Sequence, residues 1–281
     1  MTLHFTNNIN QYLDRLCGEQ CSQLGFFSKP HRAEIEGTKV IIKRYHPIKK
    51  EVSHIIKSHD EYIHSLRSMG IQVPWTKILA VRKKSKNELV IIQKAFEEEE
   101  VLRTMFSQDS LEDLYRYLTL VYDEIIKYWN TKPFSLEFGF HPTLRNYSIR
   151  NNSLYYFDTF PPMNMPQPEL NKLILQMAPV RDWIKSFIPS KAINRVSNEY
   201  YYFDKMFLGI VGSSVRLRPE FGQQILDFTE NYLSDAKLSP EVKKELLAQV
   251  TAPPKLSFLW RFVRKLTGNI GKPNVKLPNN K

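Results

Sequence analysis

The chain of 281 residues is poor in cysteine, having only Cys17 and Cys21. Two thiols with three residues between them cannot build a disulfide framework, and no His-x-x-x-His pair follows to complete a zinc site. The expected state is two reduced thiols in a cytosolic protein. Glycine is scarce at 10 residues and shows no period, which excludes a collagen-like chain. No apolar run approaches the roughly 18 residues needed to cross a bilayer. The opening stretch has no basic segment leading into an apolar one, so no secretory signal is expected. These absences predict a cytoplasmic globular protein. The 42% hydrophobic and 12% aromatic content is enough for a full-sized core and excludes wholesale disorder.

The formal net charge is +11, but it is uneven. Lys255, Arg261, Arg264, Lys265, Lys272, Lys276 and Lys281 supply seven of those charges, in a tail with no acid. The rest is only mildly basic, so there is no strong nucleic-acid signal. Within the tail, Leu256–Leu266 interleaves apolar and basic residues. It reads as a short helix docking its apolar face on the body of the protein, with contact to an anionic membrane or partner as the alternative.

Periodicity divides the chain into residues 1–24, 25–96, 97–251 and 252–281. Residues 3–24 carry a helical stripe through Ile9, Leu13, Leu16 and Leu24. Residues 32–45 read as a hairpin turning at Gly37 and containing the buried strand Val40-Ile41-Ile42. An amphipathic helix over 49–69 ends at Gly70. Strands follow at 77–81 and 88–93, and then an acidic run, Glu97–Glu100. That run is expected to be a solvated surface, or else an attraction for a cationic substrate. Ser110 caps a strong helix over 110–130. Short strands fall within 137–158, and helices are expected at 168–188, 198–213, 219–235 and 239–249. The fold class is therefore α+β, with a small sheet-bearing half followed by a larger helical one.

Three pieces carry chemistry. Lys43 ends the buried strand Val40–Lys43. Asn146 follows Glu137-Phe-Gly-Phe-His-Pro-Thr-Leu-Arg145. Asp158 follows Leu154-Tyr-Tyr-Phe157. A strand lysine neutralises phosphate charge, while an Asn and an Asp a dozen residues apart across a hairpin can share a metal. Phosphoryl transfer depends mainly on positioning and charge neutralisation, which suits such a set.

With the segment Gly70-Ile-Gln-Val-Pro74 and the hinge-like Val90–Phe96, this set resembles the protein-kinase-like fold in its aminoglycoside phosphotransferase and choline kinase branch, over residues 25–235. The resemblance implies a bilobal protein using ATP and Mg²⁺. Lys43 would bind phosphate, with Asp60 or Glu61 as its partner on the helix. Asn146 and Asp158 would hold the metal. Backbone groups around Gln93, Ala95 and Phe96 would receive the adenine. The chain departs from that family at three places. His141 stands where the catalytic loop carries an Asp five residues before the Asn, Phe160-Pro161-Pro162 follows the metal Asp, and the hairpin expected to cover the nucleotide has one glycine, Gly37. His141 is then the candidate proton acceptor, and Arg145 a candidate phosphate contact. Two functions follow: an ATP-dependent phosphotransferase acting on a small-molecule alcohol or amino alcohol, or a pseudokinase-type module that binds nucleotide or a protein partner without transfer.

Overall fold

The computed structural model describes residues 19–20, 28–48, 52–83, 85–132, 137–178 and 190–251. The basic tail, both cysteines and most of the helix expected over 3–24 lie outside the described residues.

The first half is a five-stranded antiparallel sheet in the order β1-β2-β3-β5-β4. Its strands are β1 (Glu19–Gln20), β2 (Ser28–Ile35), β3 (Thr38–Tyr45), β4 (Thr76–Lys83) and β5 (Lys86–Lys94). At Glu19 and Gln20 the structure departs from the helix expected over 3–24, because these two residues pair with Arg32 and His31 on β2. Gly18, a weak helix former, precedes them, and the backbone groups of β2 offer them a ladder. The β2–β3 hairpin turns on Glu36 (φ 50) and Gly37 (φ 72), the two successive positive φ values that a two-residue turn needs to match strand twist.

Alternation along β5 shows why it is central. Leu89 and Ile91 pack on one face with Tyr45, and Val90 and Ile92 on the other with Val40 and Ile42. Lys43 pairs with Ile91 and lies two residues before Tyr45, so it shares the face that Tyr45 and Ile91 occupy. That face is covered by α1 (Ser53–Ser68), which buries Ile55, His59, Tyr62, Ile63 and Leu66. α1 stops at Gly70 (φ 76). There the Ile71 amide bonds the Leu66 carbonyl and the Gly70 amide bonds the Arg67 carbonyl. This paired closure satisfies two orphan carbonyls, and Leu66 and Ile71 are both in the core.

The second half is helical: α2 (Leu102–Gln108), α3 (Leu111–Thr131), α4 (Gln167–Met177), α5 (Ser190–Tyr201), α6 (Phe203–Leu217), α7 (Gly222–Asp235) and α8 (Pro240–Val250). The Ser110 hydroxyl accepts from the Asp113 amide, as the capping pattern requires. Two expected helices are shorter than their patterns. α4 stops at Met177 because Ala178 (φ −56, ψ 130) precedes Pro179, a position that disfavours helix. The helix expected over 198–213 is two helices broken at the extended Tyr202. A two-stranded hairpin, β6 (Tyr147–Arg150) and β7 (Ser153–Tyr156), stands between α3 and α4. It turns on Asn151 (φ 51) and Asn152 (φ 56). The fold is thus α+β, a small antiparallel sheet with one helix followed by a helical half. Among the described residues no helix is long and apolar enough to cross a membrane.

Candidate functional site

The β6–β7 hairpin turns a spacing of twelve residues into a contact. Its register pairs Tyr147 with Tyr156, and the Phe157 amide then bonds the Asn146 carbonyl at 3.0 Å. Asn146 and Asp158 therefore leave the same end of one hairpin. The Asn146 Nδ2 donates to Asp158 Oδ2 at 2.9 Å and to the His141 carbonyl at 2.9 Å. Those two acceptors fix the amide: its nitrogen faces the carbonyl and the carboxylate, and Oδ1 remains for a cation.

Lys43 reaches this hairpin from the sheet. Its Nζ donates to the Phe157 carbonyl at 2.9 Å and lies 5.4 Å from the Phe157 ring centre. Its charge also acts on Asp158. Burial works against ionisation of that carboxyl, but the His141 contact and the charges of Lys43 and Arg145 outweigh it, so Asp158 sits below the usual aspartate value. Two elements distant in sequence, β3 and the β6–β7 hairpin, thus place an ammonium, an amide and an ionised carboxylate together.

His141 belongs to the same cluster. Its Nδ1 lies 3.4 Å from Asp158 Oδ2, its side chain is 12% exposed, and its ring packs on Tyr200 with centres 4.5 Å apart. The strand-like segment leading to it is pinned on both sides: the Gly139 amide bonds the Met163 carbonyl, and the Phe140 amide bonds the Tyr200 carbonyl.

Glu61 is not brought to Lys43. It is exposed and pairs with Lys57 one turn earlier at 3.7 Å. Asp60 is 54% exposed beside His59. Successive helical residues are rotated by about 100°, so the position of α1 that faces inward here is neither acid but His59, which is fully buried. His59 Nε2 lies 3.0 Å from the hydroxyl of Thr159, the residue after Asp158. Its place in the stripe Ile55, His59, Tyr62, Ile63, Leu66 was the signal that could have singled it out in the sequence.

The hinge residues are engaged within the chain. Gln93 is buried, and its Nε2 donates to Thr76 Oγ1 at 2.8 Å. The Ala95 amide bonds the Lys39 carbonyl, and the Ala95 carbonyl accepts from Arg150 Nη2 at 3.3 Å. Phe96 is buried between Tyr155 and the Arg150 guanidinium, which lies 4.7 Å from its ring centre. The acidic run has partners too: Glu97 meets Lys39 and Arg32, and Glu100 meets Arg150. The Gly37 turn stands six residues along β3 from Lys43, about 20 Å in an extended strand.

The profile of a family of unknown function, DUF6206, matches residues 5–271. The chain belongs to that family. No curated protein matches this DUF6206 member in sequence. Among solved structures, it is similar to the microcompartment-associated aminopropanol kinase at 9% identity, with a TM-score of 0.33, over 93% of this chain and 97% of that one. It is similar to the MAP kinase LmaMPK10 of Leishmania major at 10% identity and a TM-score of 0.33, over 97% of this chain and 92% of that one. It is also similar to a mutant PAN3 pseudokinase of Neurospora crassa at 11% identity and a TM-score of 0.31, over 97% of this chain and 82% of that one.

Proposed function

We propose that this chain is a kinase-like protein that binds ATP with Mg²⁺ at Lys43, Asn146 and Asp158, and that it transfers phosphate to a small-molecule hydroxyl. The observation that carries the reading is the convergence of those three side chains from β3 and from the open end of the β6–β7 hairpin. The strand order, with the lysine on β3 and the single helix between β3 and β4, agrees with it.

The donor set fits the metal. Mg²⁺ takes oxygen ligands, usually one or two protein groups with the substrate's phosphates supplying others. Asn146 Oδ1 and the ionised Asp158 would hold it. When bound, it would neutralise charge on the phosphates. Lys43 would add an ammonium for the phosphates, already placed there by its bond to the Phe157 carbonyl. Arg145, which already acts on Asp158 through its charge, is a further phosphate contact. His141 would accept the acceptor's proton. A neutral imidazole with its Nδ1 proton turned to Asp158 presents Nε2 as the accepting atom, and the nearby carboxylate keeps that orientation.

The second reading is a pseudokinase-type module that binds nucleotide or a protein partner without transfer. The internal bonds of Ala95 favour it, since both of its backbone polar groups are engaged. One experiment separates the two. Calorimetric titration with ATP and Mg²⁺ is expected to show binding that weakens at least tenfold, about 1.4 kcal/mol, in Lys43→Ala and Asp158→Ala. Equal binding by wild type and both variants removes the site. Binding without transfer to any hydroxyl acceptor leaves the module.

A further inference from the structure

We propose that His59 and Thr159 form a buried strut through which α1 positions Asp158, an imidazole on the helix standing where the resemblance implied a carboxylate. The inference rests on the reading of Asp158 as a metal ligand and adds two positioning residues to it.

The strut is short and fully enclosed. His59 has no exposed surface, Thr159 is 1% exposed, and the Nε2–Oγ1 distance is 3.0 Å between residues one hundred apart in sequence. Thr159 is covalently next to Asp158, and consecutive Cα atoms are held about 3.8 Å apart. A hydroxyl tied to α1 therefore restricts where the carboxylate can point. Phe160 closes the other side, packing on Tyr45 at 4.3 Å and on the His59 ring at 6.0 Å between centres.

The chemistry gives the strut a direction. Asp60 Oδ1 lies 3.9 Å from His59 Nδ1, too far for a hydrogen bond but close enough to favour a proton on that nitrogen. Nε2 is then an acceptor and the Thr159 hydroxyl the donor. Burial lowers the basicity of His59, so the ring stays neutral and able to accept. Removing the hydroxyl strands a buried lone pair, and removing the imidazole strands a buried hydroxyl. Neither change touches Lys43, Asn146 or Asp158 directly.

The test uses the full chain and two titrations, ATP with Mg²⁺ and ATP with a chelator. Their affinity ratio is the gain due to metal. Residues that orient metal ligands typically cost 10–100-fold in metal affinity when altered. Thr159→Val is thus expected to lose about tenfold of the gain, while affinity for metal-free ATP stays within about twofold. Thr159→Ser, which restores the donor, is expected to recover the gain. His59→Phe should match Thr159→Val, and the double variant should be no worse than the weaker single one, because the two residues act as a unit. Thermal unfolding monitors folding, and the Ser variant keeps the comparison valid if Val proves unstable. A gain that survives Thr159→Val intact overturns the strut and leaves the metal site standing. A wild type with no gain from metal overturns both.

Discussion

The strap between Arg150 and Glu100 offers a quantitative test of how the turn that follows β5 is anchored to the β6–β7 hairpin. Arg150 Nε and Nη2 each donate to one Glu100 oxygen at 2.5 Å, a two-pronged geometry that lysine cannot reproduce. The two side chains are 27% and 24% exposed. Hydrogen bonds to charged groups contribute about 1.5–3 kcal/mol when shielded, and exposed ion pairs below about 1 kcal/mol. For a mostly covered pair, a coupling of about 1.5–2 kcal/mol is expected. The stacking of Arg150 on Phe96 adds about 0.5–1 kcal/mol that Glu100→Gln does not remove. Arg150→Met should therefore cost about 2–3 kcal/mol and Glu100→Gln about 1.5–2, with the double variant close to Arg150→Met alone. Urea unfolding of the four proteins measures this cycle. The pH dependence is fixed in sign. The Arg150 bond, against some opposition from burial, holds Glu100 below the usual glutamate value. Its contribution is then complete above the unfolded-state value of about 4.3 and is lost as the pH falls through the lower folded value. Wild type and Glu100→Gln should converge in stability there. Additive effects of the two single changes at neutral pH would refute the reasoning.

Phe160→Ala removes a ring that is 4% exposed and is expected to cost about 3–5 kcal/mol in chemical denaturation. Glu61→Gln alters only an exposed pair with Lys57, so stability should stay within about 0.5 kcal/mol and nucleotide affinity should not change. A large loss in either would return Glu61 to the site. Glu36→Gly relieves a positive φ in a turn, and a gain of up to about 1 kcal/mol in thermal unfolding is expected.

The parts of this architecture that depend on neighbouring residues were legible in the sequence. The Gly70 stop, the Ser110 cap, the Gly37 turn and the strand through Val40–Lys43 are each decided within a few residues. So is the convergence of Asn146 and Asp158, because a hairpin between them fixes their distance. What escaped depends on contacts made across the chain. Glu19 and Gln20 are strand because β2 offers a ladder. Tyr202 interrupts a continuous helical pattern where the Tyr200 carbonyl accepts from the Phe140 amide. The choice of Asp60 or Glu61 as the helix partner failed on helical phase. Counting from Ile55 and Tyr62 places His59, not its two acidic neighbours, on the inner face. The strap on Ala95 had no local signal, since Arg150 and Glu100 are fifty residues apart.

The core beneath the sheet contains Tyr45, Ile55, Ile78, Leu89 and Ile91, and also Phe160, Leu173 and Met177. The order of synthesis gives this a cost. When the last strand of the sheet leaves the ribosome, α1 is in place but the rest of the inner wall of its core has not been made. At about 5–20 residues per second, the missing side chains follow roughly 4–16 seconds later. During that interval the nascent chain displays the part of that apolar face that α1 does not cover and that Phe160, Leu173 and Met177 will fill, the kind of surface that holdase chaperones bind. A fragment ending near residue 96 would keep that exposure permanently and should aggregate. The first half of this protein is a separate layer of the finished molecule, but its core closes only when the chain returns to it.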